Sequence, residues 1–277
     1  MQTSNTASLR VLHAIGVIGS ILALTILGAS VLLRLTTVIA PDGTALSQLT
    51  TEVENAIRLV HRLAAASVGI LALAASVLGW QNRTQFPAVM RPVAWITGAT
   101  VLLAVIGPLT PGYRFSLVTI TNVVAGTVLV AACWWLRETL DLATSRVAFR
   151  DPMLSLTLAV FVLHVGLGAA ASAYAVRGTH WVAFVHSGSA MLATLLLGSI
   201  LWDRRLHRKL TAPVRAMAGL LALQLVLGMV SLWIEVRPVT LGFVHAMVSA
   251  VLVAGLVSIA VRDTADSQAK RGDYQKE

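Results

Sequence analysis

Along this chain, long apolar runs alternate with short polar interruptions. The apolar runs cover about 11–33, 57–79, 91–110, 116–136, 153–175, 181–202, 213–234 and 239–262. Each is close to the roughly 20 residues that a helix needs to cross about 30 Å of hydrocarbon. The runs are apolar on every side, whereas barrel strands would alternate apolar and polar at every second position, so the pattern predicts helices. The expected fold class is an all-α integral membrane protein with eight transmembrane helices. The first run is long for a removable signal peptide and lacks a small-residue cleavage site, so it counts as a helix.

Composition agrees with the pattern. With 57% hydrophobic and 12% charged residues and a mean hydropathy of +0.80, 277 residues have too little polar surface to cover a soluble globule. The net charge of +9 then reads as a topology signal. With the N-terminus in the cytoplasm, the inner segments hold Arg10, Arg83, Arg91, Arg137, Arg146, Arg150, Arg204, Arg205, Arg208, Lys209, Arg215, Arg262, Lys270, Arg271 and Lys276, which is 15 of the 21 basic residues. The outer side keeps Arg34, Arg58, Arg62, Arg114, Arg177 and Arg237. Basic residues concentrate on the cytoplasmic side of inner-membrane proteins, so both termini are expected inside, in a multi-pass cytoplasmic-membrane protein. The same bias argues against nucleic-acid binding, and "DRRLHRK" from Asp203 reads as an inner loop touching anionic headgroups, with His207 solvated. Reporter fusions after residues 80 and 205 are expected to report cytoplasm and one near residue 112 the outer side; the reverse pattern would contradict this orientation.

The chain also reads as a duplication. "LHVGLGAAAS" in the fifth run and "LQLVLGMVS" in the seventh place His164 and Gln224 three residues ahead of Leu167-Gly168 and Leu227-Gly228. "LTILGASV" around Gly28 and "LAVIGPLT" around Gly107 repeat the signature, and such glycines are expected to let helix backbones approach closely. Two pseudo-symmetric four-helix bundles follow, 1–140 and 150–265, joined by "RETLDLATSRVAFRD" and followed by a polar tail, 266–277.

Candidate chemistry lies at one depth. The even-numbered spans run from outside to inside, with His61 seven residues after Glu54, Asn122 eight after Arg114, His186 nine after Arg177 and His245 eight after Arg237. At about 1.5 Å per residue these side chains form a layer roughly 10–13 Å below the outer boundary. A histidine at such a depth costs free energy unless it has a partner, which makes it a functional candidate. Two imidazoles facing one another across a four-helix bundle suit axial ligation of a heme iron, so His186 and His245 are the expected ligands of a heme b. Zinc suits the pair less, because two histidines leave a tetrahedral site half empty. His164, whose repeat partner is Gln224, reads as an interhelical hydrogen-bonding residue, His180 beside Trp181 as an interfacial one, and His13 as lying far from the layer. Arg34, Arg58 or Arg62 in the first bundle and Arg177 or Arg237 in the second could pair with heme propionates; each has snorkelling as its alternative. The lone Cys133 reads as packing.

Together, "LGASVLLRLT" from Leu27, "VHRLAAASVG" from Val60, "VTITNVVAGTVLVAACWWL" from Val118, "VHSGSAMLATLLLG" from Val185, "LQLVLGM" from Leu223 and "VHAMVSAVLVAGL" from Val244 resemble the heme A synthase family over nearly the whole chain. The resemblance implies an eight-helix protein that oxidises a methyl group of heme O to a formyl, making heme A for terminal oxidases. It also implies heme b on His186 and His245, a substrate heme (heme O or heme A) on His61 in the first bundle, and a heme O synthase, a terminal oxidase or another respiratory complex as partners. The chain departs from the family at two positions. Asn122 stands where the family has a histidine, and Arg58 stands where it has a glutamate thought to be catalytic; Glu54 lies one turn further out. The alternative function is a non-catalytic b-type cytochrome or heme-handling subunit that kept only the second heme. A transporter finds little support, because the spans lack broken helices and acidic residues near mid-membrane.

Overall fold

The computed structural model describes residues 2–39, 45–109, 117–142, 151–175, 181–206, 211–234 and 238–274. They form the helices α1 (Gln2–Leu35), α2 (Thr51–Gln81), α3 (Met90–Ile106), α4 (Leu117–Asp141), α5 (Pro152–Ala175), α6 (Trp181–Leu206), α7 (Thr211–Trp233) and α8 (Val239–Tyr274). Each contains a stretch long and apolar enough to cross a membrane, so the described chain has eight candidate spans at the places the sequence predicts. After α1 comes a short antiparallel ribbon of β1 (Thr37–Ile39) and β2 (Ala45–Ser47), with Thr37 opposite Ser47.

Local chemistry sets the helix ends. Thr50 caps α2 by accepting the Val53 N–H, and Glu52 and Glu54 place negative charge in its first turn. Asp151 caps α5 by accepting the N–H groups of Met153 at 2.9 Å and Leu154 at 3.3 Å. A 3-10 turn at Pro87–Val89 leads into α3, whose last turn closes on the Gly107 N–H donating to the Leu103 carbonyl.

The helix pairings close two rings. α1 packs on α2 and α4, and α3 packs on the same two; α5 packs on α6 and α8, and α7 packs on the same two. The rings meet where α4 and α8 lie together, flanked by α4 on α5 and α1 on α8. Each ring has a buried apolar core, one around Leu12, Val68, Ile96 and Leu136 and the other around Phe161, Leu197, Leu252 and Ile259. Leu63, Ile70 and Leu73 of α2 and Phe184, Met191 and Leu195 of α6 point outward, as hydrocarbon-facing residues do.

The signature glycines do not act as expected. A Cβ on Gly28 would meet the Phe243 and Met247 side chains, one on Gly107 only its own helix's Leu103 carbonyl, and those on Gly168 and Gly228 the rings of His186 and His245. The close backbone approach falls instead at Gly16, where a Cβ would stand 2.8 Å from the Arg137 backbone nitrogen and force α1 off α4.

Ion pairs gather at the end of the fold that holds the start of α1, one of them joining the rings and the others lying within each. Glu138 of α4, 2% exposed, meets Arg262 of α8 at 2.8 Å and Arg137 at 3.6 Å. Arg204 of α6, 5% exposed, meets Asp263 of α8 at 2.6 Å and Asp151 at 3.6 Å. His13 reaches Asp141 at 2.7 Å, and Arg137 reaches the same carboxylate at 3.2 Å. This corrects two expectations. "RETLD" is the last turn of α4, with Glu138 and Thr139 buried, rather than linker, and Arg204 is an interior partner rather than a headgroup contact. The sequence pattern counted these charges by side of the membrane, which says nothing about their partners.

Removing one member of a buried pair leaves the other charge uncompensated. Glu138→Ala is therefore expected to destabilise the fold toward the lower end of about 3–5 kcal/mol, since both arginine side chains keep roughly a third of their surface exposed. Thermal unfolding in detergent should show a clearly larger loss than Asp141→Asn, whose carboxylate is 33% exposed. Equal losses would mean that burial does not set the cost of breaking these pairs.

Candidate metal centre

The candidate site lies inside the second ring, between two helices that do not pack on one another. Among the described residues α6 and α8 face across the ring with α5 and α7 between them. His186 of α6 and His245 of α8 project into this space, and their ring centroids lie 6.3 Å apart at an interplanar angle of 76°. The depth argument thus brings together the pair it named.

Small residues on the intervening helices make room for the rings. A Cβ on Gly168 of α5 would stand 3.0 Å from His186 Cε1, and one on Gly228 of α7 would stand 3.6 Å from His245 Cε1. The Leu-Gly pairs at 167–168 and 227–228 are therefore seats for imidazoles. A larger residue at 168 would push the His186 ring aside, because the contact is already tighter than ordinary van der Waals packing.

A third histidine joins the pair. His164 of α5, 4% exposed, stacks on His186 with centroids 4.3 Å apart and planes 9° from parallel. One candidate ligand nitrogen from each of His164, His186 and His245 lies within 4.8 Å of the others. Among the described residues, no carboxylate or cysteine joins this group. The structure therefore adds to the expected role of His164, which does bond across helices but also belongs to the cluster.

The hydrogen bonds decide which nitrogen of His164 can act as a ligand. Ser189 donates its hydroxyl hydrogen to the His186 carbonyl at 2.7 Å, and its oxygen lies 2.9 Å from His164 Nδ1. A serine has one hydrogen to give, so His164 Nδ1 is the donor in that contact, and Nε2 carries the lone pair. α7 and α8 repeat the device. Ser249 donates to the His245 carbonyl at 3.0 Å and accepts from Gln224 Nε2 at 2.6 Å, and the same amide lies 3.1 Å from His245 Nε2. An amide nitrogen can only donate, so the His245 Nε2 lone pair accepts this hydrogen bond, and a metal at that nitrogen would have to displace the Gln224 N–H. Of the two contacts, the one from Ser189 to His164 Nδ1 is of the kind that fixes the tautomer and orientation of metal-binding histidines.

The first ring is built differently. His61 extends the buried stripe Ala64, Val68, Ala72, Ala75 and Gly79 of α2 by one turn and is half-buried, as is Asn122 of α4. α2 and α4 face across their ring as α6 and α8 do, but His61 belongs to no cluster like that of the second ring among the described residues. Arg58 and Glu54 lie on the same inner stripe. Arg58 holds the Glu54 carboxylate through Nε at 2.9 Å and a terminal nitrogen at 2.6 Å, so the nearest acidic group is tied to a cation. Arg34, at the end of α1, is half-buried, and its Nε finds no hydrogen-bond partner among the described residues. Arg62 is exposed, which fits snorkelling. Arg114, Arg177, Arg237, His180 and His207 lie outside the described residues. Cys133 is buried against Gly19, as packing predicts.

Comparison of the chain with protein-family models, with curated proteins and with solved structures finds no match in any of the three.

Proposed function

We propose that this chain is a membrane hemoprotein of the heme A synthase type, with a b-type heme held by His186 and His245. The observation that carries the reading is that His186 and His245 face one another across the ring, 6.3 Å between centroids, in a histidine group that no carboxylate or cysteine joins among the described residues. A bare divalent ion there would bury two positive charges with no carboxylate beside them, which costs several kcal/mol or more. A porphyrin brings two negative charges of its own, so the ferrous center is neutral and suits these residues. When bound, the heme would supply one-electron redox chemistry. The chain's own contribution is to hold the two imidazoles in place through Gly168, Gly228, Ser189, Ser249 and Gln224, and Arg34 offers a guanidinium for a propionate.

This reading includes two pseudo-symmetric halves, 1–140 and 150–265, supported by the matching ring pairings and by the repeated seat of polar residue, glycine and histidine. It also takes both termini as cytoplasmic, on the split of basic residues. In the first half, His61 is the remaining candidate ligand for a second heme, whether heme O or heme A.

Whether that half does chemistry divides the reading in two. The Arg58–Glu54 ion pair favours a non-catalytic b-type cytochrome or heme-handling subunit serving a respiratory complex. The resemblance over all eight spans favours conversion of heme O to heme A between a heme O synthase and a terminal oxidase. The reduced-minus-oxidised spectrum of the detergent-purified chain tests what the two share. A b-type spectrum is expected, and its absence from folded protein made in heme-replete cells overturns the reading.

A further inference from the structure

The third histidine gives the cluster a capacity that heme ligation does not use. Axial ligation takes two imidazoles, yet three converge here, and His164 presents its Nε2 lone pair because Ser189 holds its Nδ1–H. Its repeat partner on α7 is a glutamine that makes the same serine contact without offering a ring nitrogen. Hydrogen bonding to the serine therefore does not explain why a histidine stands at 164.

We infer that His164, His186 and His245 together form a three-imidazole site for a single monovalent copper ion in protein that carries no heme. Charge selects the ion. Desolvation cost rises with the square of the charge, so a monovalent ion costs about a quarter of what a divalent one costs in a group without carboxylates. Ligand type agrees, since imidazole suits copper as well as zinc, iron and nickel, and a three-coordinate site needs no fourth residue. Three nitrogens each about 2.0 Å from one ion in a plane lie about 3.5 Å apart. The donors now lie within 4.8 Å of one another, so the rings must close by roughly an ångström. Rotation about the broad terminal torsion of histidine supplies much of this. Ser189 and Ser249, each bonded to a histidine carbonyl of its own helix, keep the polar partners of the rings in place during that closure.

The site shares two ligands with the heme reading, and His164 separates the two. The experiment uses the full chain, purified from cells unable to make heme and titrated anaerobically with Cu(I) as its bicinchoninate complex, beside His164→Gln. The unmodified chain is expected to withdraw one equivalent of Cu(I), and His164→Gln to bind it at least about tenfold more weakly. His164→Gln purified from heme-replete cells is expected to keep the heme content of the unmodified chain. Cu(I) left with the chelator, equal binding by the variant, or uptake of Zn(II) in preference to Cu(I) would each overturn the copper site. If His164→Gln fails to fold, copper-edge X-ray absorption on the loaded unmodified chain decides: three imidazole scatterers are expected, and two, or a sulfur ligand, would refute it. Heme content of the unmodified chain from heme-replete cells reports on the heme reading alone, so either inference can fail without the other.

Discussion

Co-expressed with a heme O synthase in a host that lacks heme A, the unmodified chain is expected to leave nearly all of the heme O unconverted. Oxidising one methyl of a porphyrin requires the ring to be held closely, and a displacement of about 1 Å can cost on the order of 100-fold in rate. Three features of the first ring loosen that hold. Asparagine, at 122, is a weak iron ligand where the family that the sequence resembles has a histidine; Arg58 puts a cation where that family has a carboxylate; and Glu54 is paired with Arg58 at 2.6 Å. Asn122→His with Arg58→Glu removes the cation that pairs with Glu54 and adds an imidazole on α4, the helix across the ring from His61 of α2. This double variant is expected to raise heme A above the level of the unmodified chain. Chromatography of the extracted hemes decides: abundant heme A from the unmodified chain would refute the non-catalytic reading and show that His61 suffices.

Replacing His186 or His245 with alanine is expected to cut heme b to below about a tenth of its level in the unmodified chain, a loss that about 1.4 kcal/mol already produces. Truncation removes a ligand and leaves a gap beside Gly168 or Gly228, where the ring had been seated. The remaining imidazole would hold iron on one side only. His61→Ala is the control, because His61 lies in the other ring and should leave the b-type spectrum unchanged. If both second-ring variants fold and keep the spectrum, the ligand assignment is wrong.

Much of the fold was legible because hydropathy reports directly on what crosses hydrocarbon. The facing pair His186 and His245 was legible because depth along a helix is a count of residues, and nine from Arg177 and eight from Arg237 reach similar levels. Depth carries no information about azimuth, which is why His164 was read only as a bonding partner. Its membership in the cluster depends on which face of α5 turns inward. A signal was present in the sequence: Ser189 and Ser249 lie one turn beyond His186 and His245, and each pairs with a polar residue one turn ahead of a seating glycine. The ion-pair network was missed for a related reason. "RETLD" at the end of α4 and "RDTAD" from Arg262, within α8, repeat one another, but counting charges for topology treats every arginine as a surface residue. Burial of Glu138 against Arg262 depends on how the rings meet, and burial of Arg204 on how α5, α6 and α8 pack within one ring, which no single helix encodes.

The central claim is that the second ring is a heme site, and the most direct test is the heme content of the unmodified, detergent-purified chain from heme-replete cells. The account predicts one b-type heme per folded chain, reducible by dithionite. A folded chain with neither bound heme nor a reducible spectrum would contradict it.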